Sequence, residues 1–157
     1  MTDLTIRPAG PADAGALGLL IAGFRDHLLA TIPTDQEIQR DLARALGDPA
    51  VEFSCAWLGD RAVGYTQTRF FTSVWAGGTE AHLDDLFVVP SARRQMVGRS
   101  LLRHALERAR ARGAGRLGLN TNERNVTAHA LYRSEGFAPQ SHALYPGGRE
   151  VFWVRAI

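Results

Sequence analysis

The stretch Asp84-Asp85-Leu86-Phe87-Val88-Val89-Pro90-Ser91-Ala92-Arg93-Arg94-Gln95-Met96-Val97-Gly98-Arg99-Ser100-Leu101-Leu102 decides the fold. The run His82 to Val89 reads as a buried strand that Pro90 ends. A short basic loop follows, and then a helix with a glycine in its first turn. The free N–H groups of a helix start, together with Arg93, Arg94 and Arg99, make a site for a polyanion such as a pyrophosphate. A solvated arginine-rich turn that merely opens a helix has the same composition, so this stretch alone leaves both readings open.

Downstream, Leu101, Leu102, Ala105, Leu106 and Ala109 line one side of a strongly amphipathic helix. Arg103, Arg108, Arg110 and Arg112 lie mostly on the other side as a solvated face, and Gly113 closes it. Leu117 to Thr121 is a strand, Val126 to Ser134 a helix closed by Gly136, and two last strands flank Pro146-Gly147-Gly148. Upstream, Val51 to Leu58 and Ala62 to Phe71 flank Gly59-Asp60, a tight hairpin turn, and Gly77-Gly78 separates them from His82. Leu4 to Arg7 is a first strand. Pro11 opens a helix with Leu17, Leu20, Ile21 and Phe24 on one face, and Thr34-Asp35-Gln36-Glu37 is the capping box of a second helix. The order β-α-α-β-β-β-α-β-α-β-β predicts an α/β chain of the α+β type. Seven strands would form a mixed, mostly antiparallel twisted sheet, with four helices packed on it.

Composition narrows the functions. The 157 residues suit one domain, and 45% hydrophobic with 22% charged residues excludes disorder. All 18 basic residues are arginine. The absence of lysine excludes a Schiff-base lysine, a P-loop lysine and acetylation of the chain's own lysines. A formal charge of +2 is too small to point to nucleic acid. Cys55 is the only cysteine and lies among apolar strand residues, so it is a core residue, with neither a disulfide nor a multi-cysteine metal site. His27, His104, His129 and His142 have no metal-ligand spacing, so no metal is expected. No apolar run approaches the roughly 20 residues that span a bilayer, and Met1–Arg7 lacks a signal-peptide pattern. A cytoplasmic location is expected.

A second stretch joins the first: Asn125-Val126-Thr127-Ala128-His129-Ala130-Leu131-Tyr132-Arg133-Ser134-Glu135-Gly136-Phe137, a helix after a strand. Together the two segments resemble the GNAT superfamily of acetyl-CoA-dependent N-acetyltransferases. The first is similar to that family's arginine, glycine three residues on and second glycine two beyond. The second is similar to its asparagine-alanine-leucine-tyrosine helix ending in glycine-phenylalanine. The likeness covers nearly the whole chain as a single domain over 1–157. It is nearest a bacterial branch in which a strand such as Asp85-Leu86-Phe87-Val88 precedes the arginine loop. One position departs: Met96 stands where the family has its first glycine, implying either a strained left-handed residue or a side chain crowding the phosphates.

The resemblance implies acetyl-CoA as co-substrate. Backbone groups of Leu86, Phe87 and Val88 would meet the pantetheine arm much as a strand edge meets a peptide. Arg93, Arg94, Gln95, Met96, Val97, Gly98 and Arg99 would hold the pyrophosphate, and Asn125 and Tyr132 would bind from the other side. Tyr132 falls at the family's general acid, and Asp84 where polyamine-type members carry a glutamate. Asp84 would serve as base or as attractor of a cationic acceptor, with Glu80 and His82 on the same side of the strand and Asp85 opposite. The acceptor would be a small-molecule amine or a protein or peptide amine, shaped by segments 24–36 and 70–80, where Phe70, Phe71 and Trp75 offer apolar surface. Homodimers are common in the superfamily. A catalytically weak acyl-CoA-binding or regulatory domain is the competing reading, motivated by Met96. An RNA-binding arginine loop ranks below both.

Overall fold

The computed structural model describes residues 3–145 and 148–157. Pro146 and Gly147 of the expected last turn lie outside the described residues. The elements are β1 (Leu4–Pro8), α1 (Ala14–His27), α2 (Asp35–Ala45), β2 (Val51–Leu58), β3 (Arg61–Ser73), β4 (Gly78–Val88), α3 (Val97–Ala111), β5 (Arg116–Asn122), α4 (Val126–Ser134), β6 (Ala138–Tyr145) and β7 (Gly148–Ala156). Among the described residues, four α-helices and a seven-stranded sheet ordered β1-β2-β3-β4-β5-β7-β6 reproduce the expected α/β class and element order. β4 and β5 pair in parallel, while β1–β2, β5–β7 and β6–β7 are antiparallel.

Local signals account for the elements. Thr34 and Glu37 form the reciprocal capping box of α2, with Glu37 N–H donating to Thr34 Oγ1 at 3.3 Å and Thr34 N–H donating to Glu37 Oε2 at 2.8 Å. Pro11 opens a 3-10 turn, Pro11–Asp13, that runs into α1. Asp13 accepts from the Gly10 N–H and from both ends of the Arg7 guanidinium, which holds its carboxyl down at about 2. β4 begins four residues earlier than expected. The strand beside it recruits those residues: Gly115 N–H donates to Thr79 O at 2.9 Å, and Arg116 reaches Glu80.

The chain divides into two compact units, one running to Thr68 and including Asp85–His104, the other made of Arg69–Asp84 and Ala105–Ile157. In the first, neighbouring β2 residues feed different clusters because strand side chains alternate. Cys55 joins Leu17, Leu20 and Leu42 of α1 and α2 with Phe53, Tyr65 and Phe87. Ala56 joins Val63, Val97 and Leu101 under α3. Burying each such leucine or valine stabilises by about 1.5–3 kcal/mol. Gly64 is required by close approach, since a Cβ there would lie 2.7 Å from Phe87 O. In the second unit, α4 packs Tyr132 against Phe137 and Trp153. No helix among the described residues is long and apolar enough to cross a membrane.

Candidate active site

The pairing of β4 with β5 covers only Ala81↔Leu117, His82↔Gly118 and Leu83↔Leu119. β4 nevertheless continues to Val88, so the backbone from Asp84 onward has lost its β5 partner. An unpaired strand edge is what an amide-bearing ligand adds to. Leu86, Phe87 and Val88, the expected pantetheine residues, lie on it. One of its carbonyls is engaged, because Arg93 Nε donates to Val88 O at 3.0 Å.

The arginine loop that follows has an unusual backbone. Arg94 and Met96 both adopt left-handed conformations, with φ of 60° and 65°. Left-handed residues alternating with others turn successive N–H groups toward one point, the habit of anion-binding nests. The first bond of α3 runs from Ser100 N–H to Met96 O, so the N–H groups of Val97 and Gly98 precede the helix's own ladder. A Cβ on Gly98 would touch Leu86 and Val88 only at 3.8 Å, and its φ is not left-handed, so neither packing nor backbone demands glycine. The backbone at Gly98 is thus open to close approach from outside. These residues therefore fit a pyrophosphate. Gln95 Nε2 donates to Ser91 O, which braces the loop.

Met96 resolves toward strain. Its side chain is 59% exposed, and its φ is one that glycine adopts freely. A left-handed L-residue costs about 1–2 kcal/mol, against roughly 0.4–1 kcal/mol that glycine loses through its freer unfolded chain. Met96→Gly is therefore expected to stabilise the protein by about 0.5–1 kcal/mol, read as a higher urea midpoint at unchanged slope. A lowered midpoint would show that the methionine side chain packs usefully.

The second unit carries the titratable side chains. Arg69 on β3 grips Asp84 with two parallel bonds, Nε to Oδ2 at 2.5 Å and Nη2 to Oδ1 at 2.7 Å. His82 Nδ1 lies 3.0 Å from Asp84 Oδ1, and His82 Nε2 lies 2.8 Å from Asn120 Oδ1 on β5. Burial disfavours the Asp84 carboxylate, but the bonds from His82 and Arg69 outweigh it and hold the group below its ordinary range. Burial likewise disfavours a charged His82, and the Asp84 and Asn120 bonds outweigh it and raise that residue. Glu80 is only 4% exposed and paired with Arg116 at 2.9 Å, which leaves it poorly placed to meet a substrate. Asp85 instead accepts from Tyr65 Oη at 2.9 Å.

Tyr132 on α4 is buried, and its hydroxyl has no hydrogen-bond partner among the described residues. Burial pushes the phenol up to about 12, so it keeps its proton at neutral pH. Asn125 caps α4 by accepting from Ala128 N–H at 3.2 Å, which fixes its side chain at the helix start. Trp153 packs on Tyr132 while its neighbour Phe152 stacks on His82, so strand alternation puts Tyr132 and His82 on opposite sides of β7. Two expectations about apolar residues shift. Phe70 is buried with Arg112 3.8 Å over its ring, whereas Trp75 is 93% exposed. Cys55 is fully buried, and burial pushes its thiol up to about 11, as suits a core residue. Arg69, Asn120, Gly118 and Phe152 escaped the sequence reading, since no spacing rule connects them to His82.

The sequence profile of the Acetyltransferase (GNAT) family matches residues 22–137. The chain belongs to the GNAT acetyltransferase family. This GNAT chain is 34% identical over 113 residues to aminoalkylphosphonate N-acetyltransferase of Salmonella typhimurium, covering 69% of this chain and 70% of that one. It is 43% identical over 67 residues to streptothricin acetyltransferase of Streptomyces lavendulae, 41% of this chain and about a third (35%) of that longer relative. Its fold superposes on the Escherichia coli ribosomal-protein-S18-alanine N-acetyltransferase with a TM-score of 0.75 at 22% identity, over 99% of this chain and 94% of that one.

Proposed function

We propose that residues 1–157 act as one N-acetyltransferase domain that moves acetyl from acetyl-CoA to an amine. The observation that carries this reading is the end of β4–β5 pairing at Leu83, which leaves a strand edge leading into the arginine loop. Acetyl-CoA supplies the acetyl group as a thioester, whose C–S bond breaks as the amine's N–C bond forms. Leu86, Phe87 and Val88 bind its arm along the strand edge. The loop from Arg93 to Arg99 receives the pyrophosphate on backbone N–H groups backed by three arginines, and Asn125 binds from α4. Tyr132 Oη–H gives its proton to the departing sulfur. An amine near pKa ~10 is an ammonium at neutral pH and has no lone pair until a proton is removed. The Asp84 carboxylate assists that removal.

The acceptor is a small-molecule or peptide amine, met in the cytoplasm, and the enzyme works as a monomer or homodimer. Coenzyme A is expected to raise the melting temperature of the protein, and acetyl-CoA with a panel of amines is expected to release free thiol. Because the chain has no lysine, thiol released without added amine reports hydrolysis or its own N-terminus. Binding with no thiol release across the panel would favour the regulatory reading instead. No shift with coenzyme A would remove both.

A further inference from the structure

Cys55, Met1 and Met96 are the only sulfur-bearing residues of the chain. Cys55 is fully buried, and burial pushes its thiol up to about 11, so it is neither reached by solutes nor ionised. Among the described residues Met96 is therefore the one accessible sulfur, 59% exposed. Its backbone is held on both sides. Before it, Arg93 Nε donates to Val88 O and Gln95 Nε2 donates to Ser91 O; after it, Val97 is buried with Ala92 and Leu101. The unbranched thioether side chain is the movable part. Met96 is set apart from an ordinary exposed methionine by that backbone. Its φ of 65° is one that glycine would hold without strain, so the chain keeps a side chain here at a cost. Met96 O also accepts the first bond of α3, from Ser100 N–H at 2.9 Å, which places Met96 at the helix N-cap. A capping side chain normally presents an oxygen to the N–H groups of the first turn, and a thioether sulfur is too weak an acceptor to do so. Those N–H groups are the ones that the acetyltransferase reading assigns to pyrophosphate.

We propose that Met96 is a peroxide-sensitive modification site, whose sulfoxide caps α3 in place of the coenzyme's pyrophosphate and lowers the affinity for coenzyme A. This rests on the acetyltransferase reading above. In the step, a lone pair of the Met96 sulfur attacks one oxygen of a hydroperoxide. The O–O bond breaks, an S–O bond forms, and the second oxygen leaves as water or an alcohol. Sulfur is oxidised by two electrons and the peroxide is reduced by two. The new oxygen carries negative charge density at the positive end of a helix, where first-turn N–H groups attract it. Capped in this way, the loop has fewer donors for a diphosphate. The change is reversible, because sulfoxide reductases remove the oxygen as water while two thiols become a disulfide. Cys55 is too deeply buried to compete for the oxidant.

The test treats the whole protein with dilute hydrogen peroxide and locates the added oxygen by peptide mass spectrometry. Calorimetric titration with coenzyme A then compares treated with untreated protein. Met96 is expected to be oxidised before any other described residue. Coenzyme A affinity is expected to fall roughly 3–10-fold, as for one lost hydrogen bond. The urea midpoint is expected not to fall, because an exposed side chain is modified and no core contact is lost. Methionine sulfoxide reductases of both epimer classes restore the affinity. Met96→Leu has no sulfur to oxidise at this position, so peroxide leaves its affinity, whatever that is, where it was. Met96→Gln carries a permanent acceptor oxygen and is expected to bind coenzyme A more weakly than Met96→Leu. An unchanged affinity in protein oxidised at Met96, an equal loss in Met96→Leu, or a loss that comes with a lowered urea midpoint overturns the proposal. Untreated protein that binds no coenzyme A overturns it together with the acetyltransferase reading, whereas an affinity indifferent to oxidation leaves that reading intact.

Discussion

Tyr132→Phe is expected to lower turnover about 10²–10⁴-fold while leaving coenzyme A affinity unchanged. The substitution removes one oxygen and keeps the ring. That ring packs against Phe137 at 6.0 Å and Trp153 at 6.1 Å between centroids, contacts that phenylalanine retains. The hydroxyl makes no hydrogen bond to the described residues, so its loss orphans nothing. A fall in turnover would then report chemistry and not folding. The loss corresponds to about 3–5.5 kcal/mol of transition-state stabilisation, far more than the packing change can supply. Thiol release at saturating acetyl-CoA gives the turnover number, and calorimetric titration with coenzyme A gives the affinity. An unchanged turnover number would take Tyr132 out of the mechanism.

Trp153→Ala is expected to cost about 3–5 kcal/mol of stability, a large share of the roughly 5–15 kcal/mol a domain commonly has. Trp153 is the largest fully buried side chain among the described residues. It meets His129 at 5.1 Å and Tyr132 at 6.1 Å between centroids, with the Arg133 guanidinium 5.3 Å from its ring. Truncation leaves a cavity beneath α4, and the helix that carries Tyr132 loses its seat. Its indole N–H is buried with no partner among the described residues, which costs free energy in the native protein. Trp153→Phe deletes that orphan donor while keeping most of the ring, so its loss is expected to be less than half that of alanine. Urea unfolding of the three proteins checks this. Equal midpoints for the alanine and phenylalanine variants would mean that the ring volume phenylalanine retains contributes nothing.

Segments whose structure is set within a few residues are legible in the sequence alone. The Thr34–Glu37 capping box, the Gly59-Asp60 turn and the helix ends at Gly113 and Gly136 stand where the chain predicts them, because caps and tight turns are local bonds. Gly59, Gly113 and Gly136 all take the positive φ that only glycine adopts freely. Boundaries that depend on a neighbour were less legible. β4 starts at Gly78 because Gly115 and Arg116 engage Thr79 and Glu80, and nothing within residues 78–81 announces partners more than thirty positions away.

The sequence by itself determined the order of elements, the arginine loop that opens α3, and Tyr132 on a helix ending in Gly136-Phe137. Each is written in spacing, composition and short-range caps. Only the tertiary structure decided that Asp84 is shared between Arg69 and His82, that Asn120 closes the other side of the imidazole, and that Gly118 clears the place where Phe152 stacks. Those residues lie on four strands, and strand register, fixed by pairing across the whole sheet, chooses which side chains meet. The left-handed turn at Met96 belongs to the same class. Its strain is sustained by the buried strand and helix on either side of it, where local preference would have chosen glycine.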